Sequence, residues 1–404
     1  MPENVVVVGS SVAGIRTAQA LRAEGNAAVT VIGEEKEWPY DRPPLSKQLL
    51  SGAWEADRIT LLTREAAAET GIDLRLGVAA TALDLAARQV RLADGSAVGY
   101  DALVVATGVA ARPSPWRPES GLYLLRTLAD SVGLKRRLVP GAAVVVIGGG
   151  FIGAETAAAA CAAGCEVTVV DPVAVPMARV AGPVLGDLLS RLHERHGVRT
   201  RFGVGVRSVT GVEGDLTVTL DDGTPLAAAT VVVGIGAEPN VGWLAASGLT
   251  LDDGVVCDEY LAAAGAPGVY AAGDVARWPH PHLGALVRSE HWTNAADQAR
   301  CVAHNIAHPA ARTPYRPSDY IWSDQYDWKL QMVGRPAPGD AQTLVGDLTA
   351  ARPRAAALHA DAEGRLSAAI VLNWPKGLIQ CRRLLAERAG VSEAADRLAG
   401  ALAG

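Results

Sequence analysis

Two stretches of the chain place small residues where chemistry on a phosphate becomes possible. Residues 5–14 read VVVVGSSVAG, and residues 144–153 read VVVIGGGFIG. The second contains a complete G-x-G-x-x-G in Gly148, Gly150 and Gly153. The first has Gly9 and Gly14 but carries Ser11 in place of the middle glycine. A tight turn of this kind aims backbone N–H groups and a helix N-terminus at a pyrophosphate. The first glycine makes the turn, the second admits the phosphate, and the third lets helix and strand pack closely. An acidic residue at the end of the following strand adds an acceptor for ribose hydroxyls. Glu34 stands 25 residues after Gly9, and Asp171 stands 23 residues after Gly148. Serine is small and can donate its hydroxyl, so both stretches are expected to bind a dinucleotide. Asp171 repels a 2′-phosphate and is followed by Pro172 and Val173 rather than by arginine. NADH is therefore expected over NADPH at the second site.

Thiol chemistry is not expected. The five cysteines are Cys161, Cys165, Cys257, Cys301 and Cys381, and none precedes the second glycine motif. Cys161 and Cys165 are four apart, which puts them on one helix face as small buried apolar residues; a redox pair wants the C-x-x-C spacing or a longer loop. The cysteines are not clustered as a metal cluster would need, and no metal is expected.

These residues need elements to hold them. A strand over 5–8, a helix over 15–22 and a strand over 28–32 make a βαβ unit. The order returns with a strand over 143–147, a helix over 152–163 and a strand over 166–170. Two hairpin signals follow, Ala93-Asp94-Gly95-Ser96 and Asp221-Asp222-Gly223. Each half closes on an apolar strand and a glycine, at 103–108 and 231–236. From about Pro314 aromatic residues concentrate, short strands follow, and helices begin near Lys376. The expected fold is α/β, with two Rossmann-like dinucleotide-binding domains and a C-terminal α+β domain. The expected divisions are 1–111 and 237–314 for the first dinucleotide domain, 112–236 for the second, and 315–404 for the last.

The chain has 404 residues and a net charge of −6. That length calls for more than one core, and the acidic balance argues against a general nucleic-acid binder. No stretch of about 18 apolar residues suggests a membrane span. The MPENVVVVG start lacks the basic and apolar regions of a signal peptide. With the scattered cysteines, this makes the cytoplasm the expected compartment.

Further motifs surround the glycine turns, in order: Pro39-Tyr40-Asp41-Arg42-Pro43-Pro44-Leu45-Ser46-Lys47, Ala106-Thr107-Gly108, Leu125-Arg126-Thr127, residues 148–155, residues 234–240 (GIGAEPN), Ala272-Gly273-Asp274 and Trp322-Ser323-Asp324-Gln325-Tyr326. In these the chain closely resembles the FAD-dependent, putidaredoxin-reductase-like ferredoxin reductases that serve cytochrome P450 and ring-hydroxylating dioxygenase systems. They belong to the flavoprotein class of the glutathione reductase fold. The resemblance covers essentially the whole chain.

The resemblance implies FAD on the first unit and NADH on the second. It places Gly9, Ser11, Ala13 and Gly14 at the FAD pyrophosphate, Glu34 at the ribose and Ala80 at the adenine. Arg42 and Lys47 would flank the flavin, with Ala106, Thr107, Gly108 and Arg126 also at the cofactor. Gly273 and Asp274 would meet the ribityl chain, Asp274 at the start of a helix whose dipole favours its charge. Glu290 and Trp292 would reach the flavin ring, Trp292 through its backbone, and Trp322 would lie near the ring or be plain core, as would Trp328. Gly148, Gly150, Ile152, Gly153, Asp171 and Gly236 would hold NADH. Glu155 is read in the first turn of its helix, where acids are favoured in any case. The resemblance instead pairs it with Lys47 beside the nicotinamide, as the two catalytic residues. Relatives usually carry a threonine ahead of Ala272, where this chain reads Leu261-Ala262-Ala263-Ala264-Gly265, so one local hydrogen bond is expected to be missing.

The implied activity is hydride transfer from NADH to FAD, then single-electron delivery to a [2Fe–2S] or similar ferredoxin feeding a P450 or oxygenase. The iron–sulfur cluster belongs to the partner, and the reductase is expected as a monomer or weak dimer. An acidic ferredoxin would want a basic rim, for which the candidates are Arg64, Arg288, Arg312, Arg316, Arg335, Arg382 and Arg383. Rubredoxin and monodehydroascorbate reductases share the scaffold and remain alternatives. So does a flavin- and NADH-binding signalling protein of the apoptosis-inducing-factor type, although the long basic or disordered insertions of such proteins are not visible here.

Overall fold

Runs of β-branched residues without polar interruption form strands that are covered on both faces. Val5, Val6 and Val7 have no exposed surface, nor do Leu103, Val104 and Val105. The computed structural model describes residues 2–25, 28–337 and 340–403. It divides into two units, one of residues 1–42, 56–110 and 237–318, the other of residues 43–55, 111–236 and 319–404.

The first unit is built on a parallel five-stranded sheet. Its order is Val269–Ala271, Ala102–Val105, Asn4–Val8, Ala28–Gly33 and Ile72–Leu76. The chain moves outward from Asn4–Val8 in one direction, then returns to that strand's other side. That reversal is a topological switch point, where ligands of open α/β sheets bind beyond the carboxyl ends of the strands. The Gly9 turn and the segment Ala106-Thr107-Gly108 both lie there. The Val12–Ala23 helix packs against the Trp292–Ala307 helix. An antiparallel sheet of Ala80–Asp84, Gln89–Leu92 and Ala97–Gly99 carries the first hairpin. Asp94 Oδ1 accepts from the Ser96 amide at 2.9 Å, the bond that makes this residue type favour the turn.

The second unit repeats the arrangement with Leu122–Tyr123, Thr230–Val233, Ala143–Ile147, Glu166–Asp171 and Arg199–Phe202, again all parallel. Its switch point falls between Gly148 and Gly234. The same unit contains a five-stranded antiparallel sheet ordered Tyr320–Gln325, Trp328–Gly334, Leu366–Leu372, Ala355–Ala360 and Ala341–Gly346. The Pro375–Glu387 and Val391–Ala403 helices cover it, burying Leu378, Cys381, Leu384, Ala394 and Leu398. Trp328 is core, 2 % exposed, with its indole N–H donated to the Ala351 carbonyl at 3.0 Å.

Candidate dinucleotide sites and a buried ion pair

The two glycine turns have nearly the same backbone. Gly9 and Gly148 have φ of +120° and +109°, which only glycine adopts readily. Their N–H groups donate to Ile32 O and Val170 O, each at 2.8 Å, tying each turn to the strand that follows its helix. A Cβ on Gly9 would lie 2.1 Å from Ala106 O, and one on Gly148 would lie 2.3 Å from Gly234 O. A Cβ on Gly14 or Gly153 would lie 1.8 Å from the carbonyl of the turn's first glycine. These four glycines are therefore required by packing.

The middle position differs. Gly150 caps its helix at φ −73°, ψ −172°, and a Cβ there would meet nothing within 4 Å among the described residues. Ser11 caps the first helix at φ −94°, ψ −166°, and its side chain accepts no capping bond among the described residues. Serine thus keeps the backbone of the turn, and its side chain occupies the space that glycine leaves open in the second unit.

Around the first turn, Gly273 at φ +84° brings its backbone against Ala13, and its N–H donates to Gln298 Oε1 at 2.8 Å. Gln298 has no exposed surface. Thr107 Oγ1 donates to Asn240 O at 2.8 Å, and Asn240 Nδ2 donates to Thr107 O at 2.9 Å. Asn240 N–H donates to Gly108 O at 3.0 Å, so the two motifs are stitched together. Arg42 pairs with Glu35 at 2.6 Å, and Tyr40 donates its hydroxyl to the same carboxylate. Trp292 opens its helix and donates its indole N–H to Asp41 Oδ1 at 2.5 Å. Burial holds the Asp41 carboxyl above its ordinary range. Glu34 is exposed directly after Gly33, and Ala80 is half-buried at the start of its strand.

In the second unit, Asp171 Oδ2 accepts from the Gly149 amide and Oδ1 from the Val173 amide, both at 2.7 Å. The carboxylate is thereby fixed at the end of its strand. Ile152, in the first turn of the helix, is 44 % exposed. The Gly236 carbonyl accepts from Arg112 N–H at 2.9 Å. The Arg126 amide donates to Asp130 Oδ2 at 3.0 Å, just before the capping box of Thr127 and Asp130.

The same unit holds a buried ion pair. Lys47 Nζ lies 2.8 Å from Glu155 Oε2, with side chains 10 % and 3 % exposed. Ser46 Oγ donates to Glu155 Oε2 at 2.5 Å, and Ser323 Oγ donates to Oε1 at 2.7 Å. Gln325 Nε2 donates in turn to Ser323 Oγ at 3.3 Å. Trp322, next to Ser323 on its strand, points to the opposite face and stacks on Tyr320 with 5.8 Å between ring centroids.

Residues 3–299 match the family of pyridine nucleotide-disulphide oxidoreductases, and residues 320–399 match the reductase C-terminal domain. The chain belongs to this family. It is 38 % identical to rhodocoxin reductase of Rhodococcus erythropolis over 85 % of this chain and 81 % of that one. It is also 38 % identical to the ferredoxin–NAD(+) reductase component of an anthranilate 1,2-dioxygenase system of Burkholderia cepacia, over 94 % and 93 %. The putidaredoxin reductase of a covalent complex with putidaredoxin superposes with a TM-score of 0.89 at 34 % identity, covering 96 % of this chain and 93 % of that one.

The family uses FAD and a nicotinamide nucleotide, and both turns fit such groups. The open space at Gly150, the side chain of Ser11 left without a capping bond and the two helix N-termini without an acid in the first turn all suit a pyrophosphate. The disulphide chemistry in the family's name has no counterpart here. All five cysteines are free, and burial pushes Cys257 and Cys381 up to about 12 and Cys301 to about 11. Burial also raises the Cys161 and Cys165 thiols, which bond the His196 and Val139 carbonyls.

Three expectations are corrected. Asp274 opens no helix: it lies in a turn before the Ala276–Pro279 strand, and its carbonyl accepts from Arg288 at 3.2 Å. The helix brought to that region is Trp292–Ala307, which reaches Gly273 through Gln298. Glu155 is not in the first turn, because its helix starts at Phe151 and has no acid there; the Lys47 ammonium and two hydroxyls hold it instead of a helix dipole. Arg288 does not belong to an exposed rim. Its side chain is 11 % exposed and pairs with Asp253 at 3.2 Å and Glu290 at 2.7 Å. That pairing also accounts for Glu290. Ser46, Ser323 and Gln298 carry structural weight that their types alone did not signal, although the two serines lie inside recognised motifs.

Proposed function

We propose that this protein is an NADH-dependent ferredoxin reductase that delivers electrons to an iron–sulfur protein serving a P450 or ring-hydroxylating oxygenase. The observation carrying the reading is the combination of two dinucleotide turns with thiols that are all raised and none of them paired. Such a chain can receive a hydride equivalent but has no dithiol to pass it to, so the acceptor must be another molecule. Bound FAD would supply the conversion from a two-electron donor to one-electron delivery.

The chain's own residues supply binding and orientation. In the first unit, the amides around Gly9, Ser11 and Ala13 would hold the FAD pyrophosphate, with Glu34 accepting from ribose hydroxyls. Ala80, Ala106, Thr107, Gly108, Gly273, Asp274, Glu290 and Trp292 complete our assignment of the flavin site in that unit, with Arg42 fixed by Glu35. In the second, Gly148, Gly150, Ile152, Gly153 and Gly236 would take the nicotinamide nucleotide, and Asp171 favours NADH by repelling a 2′-phosphate. Glu155 holds Lys47 so that the ammonium has one position, and we assign this pair to orienting the nicotinamide. No general acid or base is required.

We place the protein in the cytoplasm as a monomer or weak dimer. The partner we assign is an acidic ferredoxin; of the remaining candidate arginines, Arg64, Arg312 and Arg316 of the first unit and Arg382 and Arg383 of the second are exposed. The test is NADH-driven cytochrome c reduction with and without a [2Fe–2S] ferredoxin from such a system, with rubredoxin and ascorbyl radical as parallel acceptors. Strong stimulation by the ferredoxin, with a KM that rises with salt, supports the reading. Equal or better turnover with rubredoxin or ascorbyl radical replaces it.

A further inference from the structure

We propose that the first unit carries a transition-metal site, of the Zn²⁺ class, formed by Glu24, His304 and His308. Glu24 is the C-cap of the Val12–Ala23 helix, and the Trp292–Ala307 helix ends with His304 in its last turn and His308 at its C-cap. A spacing of four puts both imidazoles on one helix face, and their ring centroids lie 4.7 Å apart. One ligand atom from each of the three residues lies within 4.8 Å of the others. Two histidines at this spacing with a carboxylate brought from elsewhere make a recurring zinc arrangement.

The local bonding favours coordination. His304 Nε2 lies 3.2 Å from the Ala311 carbonyl, which can only accept, so the proton sits on Nε2 and Nδ1 keeps its lone pair. A hydrogen bond at the other ring nitrogen is what orients a metal-binding imidazole. His308 Nε2 is already 2.9 Å from Glu24 Oε2, which a shared metal would replace. Ligand atoms around tetrahedral zinc stand about 3.3 Å apart. Glu24 and His308 have side chains 37 % and 45 % exposed, so they can rotate to close the gap. Two helix C-termini add partial negative charge. Nitrogen ligands select against Mg²⁺ and Ca²⁺ and in favour of Zn²⁺, with Ni²⁺ and Cu²⁺ as competitors. Water would complete the coordination.

The site would clip together the far ends of the two helices whose first turns are assigned to the flavin. It takes no part in electron transfer and does not depend on that assignment. Tag-free, FAD-loaded protein, treated with chelator and dialysed, would be titrated with Zn²⁺ against a chromophoric competitor. One equivalent should bind. His304→Gln, His308→Gln and Glu24→Gln should each weaken binding by about tenfold or more, while His282→Gln, which alters a histidine outside this cluster, should not. Zn²⁺ should raise the melting temperature of the parent protein and leave the His304→Gln/His308→Gln double variant unmoved. Failure of the parent protein to compete for Zn²⁺, or parent-like binding in all three variants, would overturn the assignment.

Discussion

Lys47 and Glu155 form an ion pair at 2.8 Å in which the carboxylate is buried and the lysine side chain is nearly so. The lysine follows the short Pro43–Ser46 turn and the glutamate sits on the helix behind Gly148, so two motifs far apart in sequence close on one another within one unit. Two serine hydroxyls complete the carboxylate's bonding. A buried charge pair adds little net stability over an apolar packing, but leaving one charge alone is costly.

Glu155→Gln keeps an acceptor for only one of the two serine hydroxyls, sets an N–H donor against the other and strands the ammonium. It should cost about 3 kcal/mol of stability, whereas Lys47→Met combined with Glu155→Gln should recover part of that loss. Both Lys47→Met and the double variant should slow bleaching of the flavin by NADH by roughly 10–100-fold under anaerobic stopped flow. Stability that does not recover in the double variant, or an unchanged bleaching rate, contradicts this account.

Ser323 has no exposed surface, and its hydroxyl donates to Glu155 Oε1 while accepting from Gln325 Nε2. Ser323→Ala should cost about 1–3 kcal/mol in urea unfolding, through an acceptor left unsatisfied. It should raise the KM for NADH through a loosened Lys47, and Ser323→Thr should restore both values at least in part.

The two glycines of the second turn should separate binding from folding. Gly150→Ala adds a methyl into open space and should leave the melting temperature nearly unchanged while weakening NADH binding. Gly153→Ala sets a Cβ 1.8 Å from Gly148 O and should reduce folded yield outright. Calorimetry with NADH on the purified Gly150→Ala protein decides the first half, and expression with thermal melts decides the second.

Local features were readable because they depend on near neighbours. The valine strands, the Asp94 and Asp222 turns and the positive-φ glycines follow from burial, short-range hydrogen bonds and sterics. Asp274 was misplaced because Gly-Asp looks like a helix start, and only the pairing of Ala276–Pro279 with Val255–Val256 and Leu286–Arg288 makes it a strand entrance. Arg288 looked like an exposed base because its partners Asp253 and Glu290 meet it only once that small sheet has formed. Ser46, Ser323 and Gln298 were silent for the same reason, since a hydroxyl or amide shows its purpose only beside the atom it serves. Ser11 is the opposite case: its type departs from the motif, yet its backbone follows it.

Asp171 should set the nucleotide preference. Both its oxygens are fixed by backbone amides, so its charge stays in place at the strand end. Asp171→Ala removes a like charge from the neighbourhood of a 2′-phosphate, and the ratio of kcat/KM for NADH over NADPH should fall by about tenfold or more, corresponding to about 1.4 kcal/mol. A ratio that does not move would place discrimination elsewhere.

His193 should make the second unit acid-sensitive. Its imidazole is 3 % exposed, its Nδ1 lies 2.7 Å from the Tyr326 hydroxyl, and His196 stacks on the same tyrosine. Burial, with the neighbouring His196 adding to it, pulls His193 from 6.5 down to about 4. Asp327, 3.6 Å from His196, is the nearby acid on the adjoining turn. Between pH 6.5 and about 4 the unfolded chain binds a proton that the folded chain refuses, so stability is full above that window and is lost as the pH falls through it. At pH 5 this one group should cost about 2 kcal/mol. His193→Gln should remove that share of the loss, so that its urea midpoint falls less than the parent's between pH 7.5 and pH 5. Equal falls in the two proteins would show that His193 is not the group responsible.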